Sequence, residues 1–176
     1  MATTKWKLDP AHSEIKFKAK HLMIAHVTGE FTSFDSELET DGDNFETGKV
    51  TLTAKIDSIV TGAEQRDTHL KSDDFFNAEQ FPELKFVGTG LKKKSEGEYT
   101  LTGNLTIRDI TKPITLNVEA GGIITDPWGQ VKAGFSVTGK VSRKEYGLKW
   151  NALTETGGVV VGDEIKILAE VQYTKQ

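Results

Sequence analysis

Apolar and polar residues alternate with a period of two along most of this chain, and that regularity excludes most of what a polypeptide can fold into. Ile15, Phe17 and Ala19 alternate with lysines, and Val50, Leu52, Ala54 and Ile56 alternate with lysines and threonines. The same rhythm runs through Tyr99, Leu101, Gly103, Leu105 and Ile107, through Ile114, Leu116, Val118 and Ala120, and through Ala133, Phe135, Val137 and Gly139. It ends with Ile165, Ile167, Ala169, Val171 and Tyr173. Each run has one apolar and one polar face, as antiparallel strands wet on one side require. Turn residues separate the runs at Asp41-Gly42-Asp43-Asn44, Ser95-Glu96-Gly97, Asp126-Pro127-Trp128-Gly129 and Gly157-Gly158. No linker, repeat or low-complexity tract interrupts them, so residues 1–176 are expected to form a single all-β domain.

Strands of this length joined by hairpin-sized gaps suit an up-and-down antiparallel barrel of about eight strands, which can enclose one ligand. The inward faces sharpen the choice between a solid and a hollow barrel. Ala19, Ala54, Gly103, Ala120, Ala133, Gly139 and Ala169 stand where a packed core would use larger side chains. Small residues there either leave volume for an occupant or relieve crowding where strands coil tightly. A cavity is the expectation, because an unfilled apolar void is costly.

Composition removes several function classes. Lysine plus arginine number 22 against 26 acidic residues, for a net charge of −4 and a pI near 5.6. A nucleic-acid groove would normally bring a basic excess. There is no cysteine, which excludes disulfides, thiol catalysis and zinc-thiolate centres. No apolar run reaches the roughly 18 residues of a membrane span. The amino terminus carries no apolar stretch of signal-peptide length, so the expected location is cytoplasmic, or periplasmic if a leader was removed.

The alternation breaks once, in the charged run 61–77 that ends on Phe75-Phe76. Short helical turns are expected around 66–78, with Ser72 as an N-cap before Asp73 and Asp74, and again around 142–147 with Gly147 as the stop. A β protein that interrupts itself in this way usually makes a lid, a mouth or a site. Arg66, Asp67 and His69 form its polar group. Asp67 reads as an ion-pair partner pinning the loop. For Arg66 and His69, ligand recognition and a structural role both remain open. Phe75 and Phe76 cannot both face water cheaply, and either plug the barrel end or line its entrance. Of the four histidines, His12, His21, His26 and His69, none has metal-site spacing, and no metal is expected. Asp9, His12 and Ser13 make an unconvincing triad, since strand neighbours point to opposite faces and no nucleophile elbow accompanies them.

Several motifs converge on one family. They are Trp6-x-Leu8-Asp9-Pro10-x-His12-Ser13, Val27-x-Gly29-x-Phe31, Gln65-Arg66-Asp67-x-His69-Leu70 and Ser72-x-x-Phe75-Phe76. Phe81-Pro82-x-Leu84-x-Phe86, Leu101-x-Gly103-x-Leu105, Thr111-Lys112-Pro113 and Arg143-x-x-Tyr146-Gly147 continue the pattern. The chain resembles the YceI-like family of polyisoprenoid-binding, lipocalin-like proteins from about Trp6 to Tyr173. The resemblance implies an extended eight-stranded antiparallel barrel, an apolar channel holding an isoprenoid or similar amphiphilic lipid, a homodimer, and no cofactor beyond such a bound lipid or quinone.

On position and chemistry, His21, Arg66, His69 and Arg143 are candidate head-group contacts. Phe17, Leu52, Leu101, Leu116, Phe135, Ile167 and Val171 are candidates for the channel lining. So are the smaller Ala19, Ala54, Gly103, Ala133 and Ala169, with Phe75 and Phe76 at the entrance. The expected role is carriage, storage or sequestration of lipid, with no catalytic residues. The alternative from a different class is a lipid-modifying isomerase or hydrolase using His12 or His69 as base. A self-associating stress or scaffold protein is a third.

Overall fold

The computed structural model describes residues 3–151 and 161–176, and the Gly157-Gly158 turn lies outside them. The chain begins with β1 (Thr3–Leu8) and β2 (Glu14–His21), separated by a 3-10 turn at Pro10–His12. Proline lacks the N–H a ladder needs, so the strand breaks there. A hairpin returns as β3 (Ala25–Phe31) and β4 (Phe34–Asp41). The register is Ile15↔Phe31 on the inner half and Lys7↔Glu37 on the outer, so each pair of segments acts as one interrupted strand. Then follow β5 (Asn44–Lys55), the short β6 (Ile59–Val60), helix α1 (Glu64–Lys71), β7 (Glu83–Ser95), β8 (Glu98–Ile107), β9 (Ile110–Thr125), β10 (Val131–Ser142) and β11 (Val161–Lys175).

Neighbouring strands pair antiparallel around the molecule, and the ring closes where β1 pairs with both β4 and β11. With β1–β2 and β3–β4 each counted once, and β6 as a continuation of β5, this is a closed eight-stranded barrel. Closure leaves few free edges, which is how an all-β chain of this length avoids unpaired backbone.

One end of the barrel is solid. Trp6, Phe45, Phe135 and Tyr173 stack in sequence, with ring centroids 5.8, 5.0 and 6.0 Å apart. Trp6 Nε1 donates to Thr40 Oγ1 at 3.0 Å, satisfying the buried indole N–H. The other end is hollow.

Several small inward residues relieve crowding instead of opening volume. A side chain at Gly103 would lie 2.4 Å from the Phe86 ring, and one at Gly139 would lie 2.3 Å from Leu116. Gly29, paired opposite Phe17, is covered by that ring in the same way. Across strands, a large side chain lies over a glycine and fills its space.

Candidate functional site

A cavity of about 530 Å3 occupies the hollow end, within the usual range of about 300–1,000 Å3 for a ligand site. Its wall is drawn from every part of the barrel: Ile15, Phe17 and Ala19 of β2, Leu52 of β5, Leu101 of β8, Leu116 of β9, Val137 of β10, and Ile167, Ala169 and Val171 of β11. Period two delivers these side chains inward while the threonines and lysines between them face water. At the floor, Ser36 Oγ lies 2.7 Å from Tyr173 Oη and donates to the Thr51 carbonyl at 2.7 Å. Burial pushes the Tyr173 phenol up to about 12, against the opposing effect of its hydrogen bond with Ser36.

The segment 61–78 covers the other end. Helix α1 follows Gly62, whose φ of 90° reverses the chain. Thr61 anchors it: Asp67 Oδ1 accepts from the Thr61 backbone N–H at 2.9 Å and from its hydroxyl at 2.5 Å. Arg66 donates to Thr61 Oγ1 at 2.7 Å and to the Thr61 carbonyl at 2.6 Å. Asp67 therefore does pin the loop, through Thr61 and not through an arginine.

The expected helix with Ser72 at its N-cap does not form. Ser72 Oγ donates to the His69 carbonyl at 2.6 Å and so closes α1. Residues after it turn back over the helix through Asn77, at φ 51°. Arg108, in the β8–β9 hairpin, fastens that turn. Its guanidinium takes the carbonyls of Asp73 and Phe75 at 3.0 and 3.1 Å, and the Asp73 carboxylate at 2.8 Å. The turn buries Phe75 and sets Phe76 on the cavity wall, where its ring meets Phe31 edge-on at 6.1 Å.

His21, Arg66, His69 and Arg143 all border the cavity. Three of them are already engaged. Arg66 is held by Thr61, as above. His69 Nε2 lies 2.9 Å from Asp74 Oδ2, and its ring stands edge-on to Phe75 at 5.0 Å and to Trp150 at 4.6 Å. Arg143 is only 3% exposed and donates to four backbone carbonyls: Leu148 at 2.6 Å, Trp150 and Gly162 at 2.9 Å, and Val161 at 3.0 Å. Burial lowers its pKa, and the nearby Asp163 carboxylate opposes that shift. Among the described residues, Lys20 and His21 make no side-chain hydrogen bond, and both border the cavity.

Four residues expected on the lining stand elsewhere. Ala54 is buried in a satellite core with Phe31, Ile56 and Ile59. Gly103 lies beneath Phe86, and Ala133 is buried at the solid end. Phe135 belongs to the aromatic stack between Phe45 and Tyr173. All four face inward, but period two specifies the face and not the depth. Phe17, Ala19, Leu52, Phe75, Phe76, Leu101, Leu116, Ile167, Ala169 and Val171 border the cavity. Sequence reasoning missed Arg108, whose anchoring role has no signature in a hairpin, and Trp150, which stands alone between polar residues.

His12 is exposed on the outer surface, 2.8 Å from Asp9, which also meets Lys132 at 3.0 Å. It lies away from the main cavity. Among the described residues no group of three or more His, Cys, Asp or Glu could hold a metal ion, and no helix is long and apolar enough to cross a membrane.

A closed antiparallel barrel, solid at one end and hollow and apolar at the other beneath a helical flap, defines a lipocalin-like architecture. The YceI-like domain family matches residues 6–173, and the chain belongs to that family. It is 40% identical to a UPF0312 protein of Staphylococcus aureus (strain USA300) over 172 residues, covering 97% of this chain and 98% of that one. Among solved structures, Burkholderia cenocepacia BcnA superposes with a TM-score of 0.81 at 20% identity, covering 94% of this chain and 98% of that one. A polyisoprenoid-binding domain from Saccharophagus degradans has the same fold, with a TM-score of 0.69 at 13% identity, covering 97% and 98% of the two chains.

Proposed function

We propose that this protein binds a long-chain isoprenoid or a similar amphiphilic lipid, such as a quinone, prenyl phosphate or fatty-acid derivative, and serves its carriage, storage or sequestration. The observation that carries the reading is the cavity: its wall is predominantly apolar, with Phe75 and Phe76 on it, Lys20, His21, Arg66, His69 and Arg143 bordering it, and the Ser36–Tyr173 hydroxyl pair at its floor. Each buried methylene contributes about 0.8 kcal/mol, so a tail of several isoprene units could be retained by apolar contact, less the cost of association. The polyisoprenoid ligand of the Saccharophagus degradans domain fits the same chemistry.

Head-group contact falls to Lys20 and His21 on this reading, with Arg66, His69 and Arg143 shaping the opening through the bonds they already make. Binding of this kind needs no reaction. The His69–Asp74 pair serves here to hold the ring between Phe75 and Trp150.

The test is native mass spectrometry of freshly purified protein, followed by solvent extraction, on wild type and on Ala169→Trp. Ala169 is on the cavity wall, so the indole would fill the channel and retained lipid should fall severalfold while the barrel stays folded. Lipid-free wild type that takes up no isoprenoid, or undiminished lipid in Ala169→Trp, would refute the proposal.

A further inference from the structure

The β2–β3 hairpin ends in Leu22-Met23-Ile24, three consecutive apolar residues that are all exposed, Ile24 at 85%. Ile24 N–H closes the turn on the His21 carbonyl at 3.2 Å. Leu22 and Met23 both adopt left-handed backbone, at φ 52° and 62°. Asn-Gly is the usual choice for two such positions, because a bulky side chain there crowds its own backbone. The chain thus accepts strain and exposed apolar surface at the same two residues. Neither is explained by folding, and strain that persists at a surface points to function.

The strands below the tip carry cations set side by side. Lys20 pairs with His26 across the hairpin, and Lys18 pairs with Lys166 of β11, which pairs in turn with Lys140 of β10. Like charges directly opposite one another destabilise a sheet. Glu164, 3.8 Å from Lys140, offsets one end of the row, and Lys16 is taken by Glu14 at 3.1 Å. Lys18, Lys20 and Lys166 are exposed and have no carboxylate within ion-pair distance among the described residues. In a chain of net charge −4, this row is a local reversal of sign.

Lys20, His21 and Val27 border the cavity mouth, so the tip lies at the opening. We infer that Leu22-Met23-Ile24 is a docking element that inserts into the head-group region of an anionic lipid bilayer, with Lys18, Lys20 and Lys166 held against lipid phosphates. An apolar wedge flanked by basic side chains is the arrangement that partitions into such an interface. A second exposed apolar hairpin tip, carrying Trp128 at 85%, lies at the opposite end of the barrel, where Lys132 pairs with Thr174. That tip is built around Asp126 and is not placed to bring the mouth to a membrane.

The test is flotation of the full chain with vesicles of phosphatidylglycerol mixed with phosphatidylcholine. Wild type should float, less so with pure phosphatidylcholine or at raised salt. Leu22→Asn/Met23→Gly/Ile24→Ser supplies residues the turn prefers, so it should stay folded by circular dichroism while the bound fraction falls about tenfold or more. Lys18→Gln/Lys20→Gln should weaken binding on anionic vesicles alone, and Trp128→Ser should leave it unchanged. Ala169→Trp, which blocks the cavity, should still float, separating docking from lipid retention. The inference is overturned if wild type does not float, or if the tip variant floats as wild type does. It is equally overturned if light scattering shows that the tip variant dissociates a dimer while neither protein floats, in which case the tip contacts a second copy.

Discussion

Arg143→Met separates a buried strut from a ligand contact. The arginine ties the stretch after β10, at Leu148 and Trp150, to the start of β11, at Val161 and Gly162, through four bonds of 2.6–3.0 Å. Methionine keeps much of the bulk; the Leu148, Trp150 and Gly162 carbonyls lose the guanidinium, while Val161 still accepts from the Asn151 amide at 2.7 Å. The bond to Leu148 is buried, so its carbonyl should cost about 2 kcal/mol when orphaned, in the middle of the usual range. Those of Trp150 and Gly162 are partly buried and water can replace the donor, at about 1 kcal/mol each. Removing a cation that burial already disfavours returns about 1–2 kcal/mol. The net loss is about 2–3 kcal/mol, which for a chain of this size lowers Tm by roughly 8 °C. Urea unfolding at an unchanged m-value measures it. Arg143→Lys, with one ammonium in place of a planar fork, should recover no more than about half. A methionine variant within about 1 kcal/mol of wild type, but stripped of its lipid, would refute the strut and make Arg143 a head-group ligand.

Two further substitutions probe the barrel. Gly103→Ala puts a methyl 2.4 Å from the Phe86 ring and 2.6 Å from the Val87 carbonyl oxygen, and should cost about 1–3 kcal/mol in urea. Gly134→Ala, with nothing within 4 Å, should cost far less, and equal midpoints would contradict the packing argument. Tyr173 titrates near 12 in the folded chain against about 10 unfolded. The folded state therefore holds its proton where the unfolded state has lost it, and the phenol's contribution is complete below pH ~10 and lost as pH rises toward 12. The decline should reach roughly 2–3 kcal/mol in wild type beyond that of Tyr173→Phe, measured as the difference in urea stability across that window. Parallel pH profiles would refute the assignment.

The barrel was legible because alternation is a local signal that survives without knowledge of partners. Depth was not legible. Ala169 and Ala133 occupy equivalent inward positions on adjacent strands, yet one borders the cavity and the other is buried in the solid end. The difference depends on what stacks on the lumen side: Phe45 reaches Phe135 from a distant strand and Tyr173 from the neighbouring one. The turn at Phe75 and Phe76 was half legible. Phe75 and Phe76 were singled out by their cost in water, but the turn that aims them depends on Arg108, 33 residues away from Phe75. Arg143 was recognised as one of a motif, while its role rests on carbonyls, which every residue has and no sequence displays.

How a lipid could reach the cavity follows from which bonds hold each part of the wall. The barrel strands are joined by continuous ladders, and opening them would break many backbone hydrogen bonds at once. Helix α1 buries no residue completely and is held mainly by side-chain bonds, Asp67 and Arg66 to Thr61 on one side and Arg108 to the following turn on the other. β3 is laddered to β2 along its length but meets β6 only at Glu30 and Phe31, so from Ala25 to Gly29 its edge away from β2 has no ladder partner among the described residues. Among the described residues, a weakly held seam thus runs between that edge and α1, with Gly62 just before the helix. Leu22-Met23-Ile24 stands at the end of the same strand edge. The seam and the apolar tip are built from different residues, and on the proposed reading the opening and the docking element stand side by side.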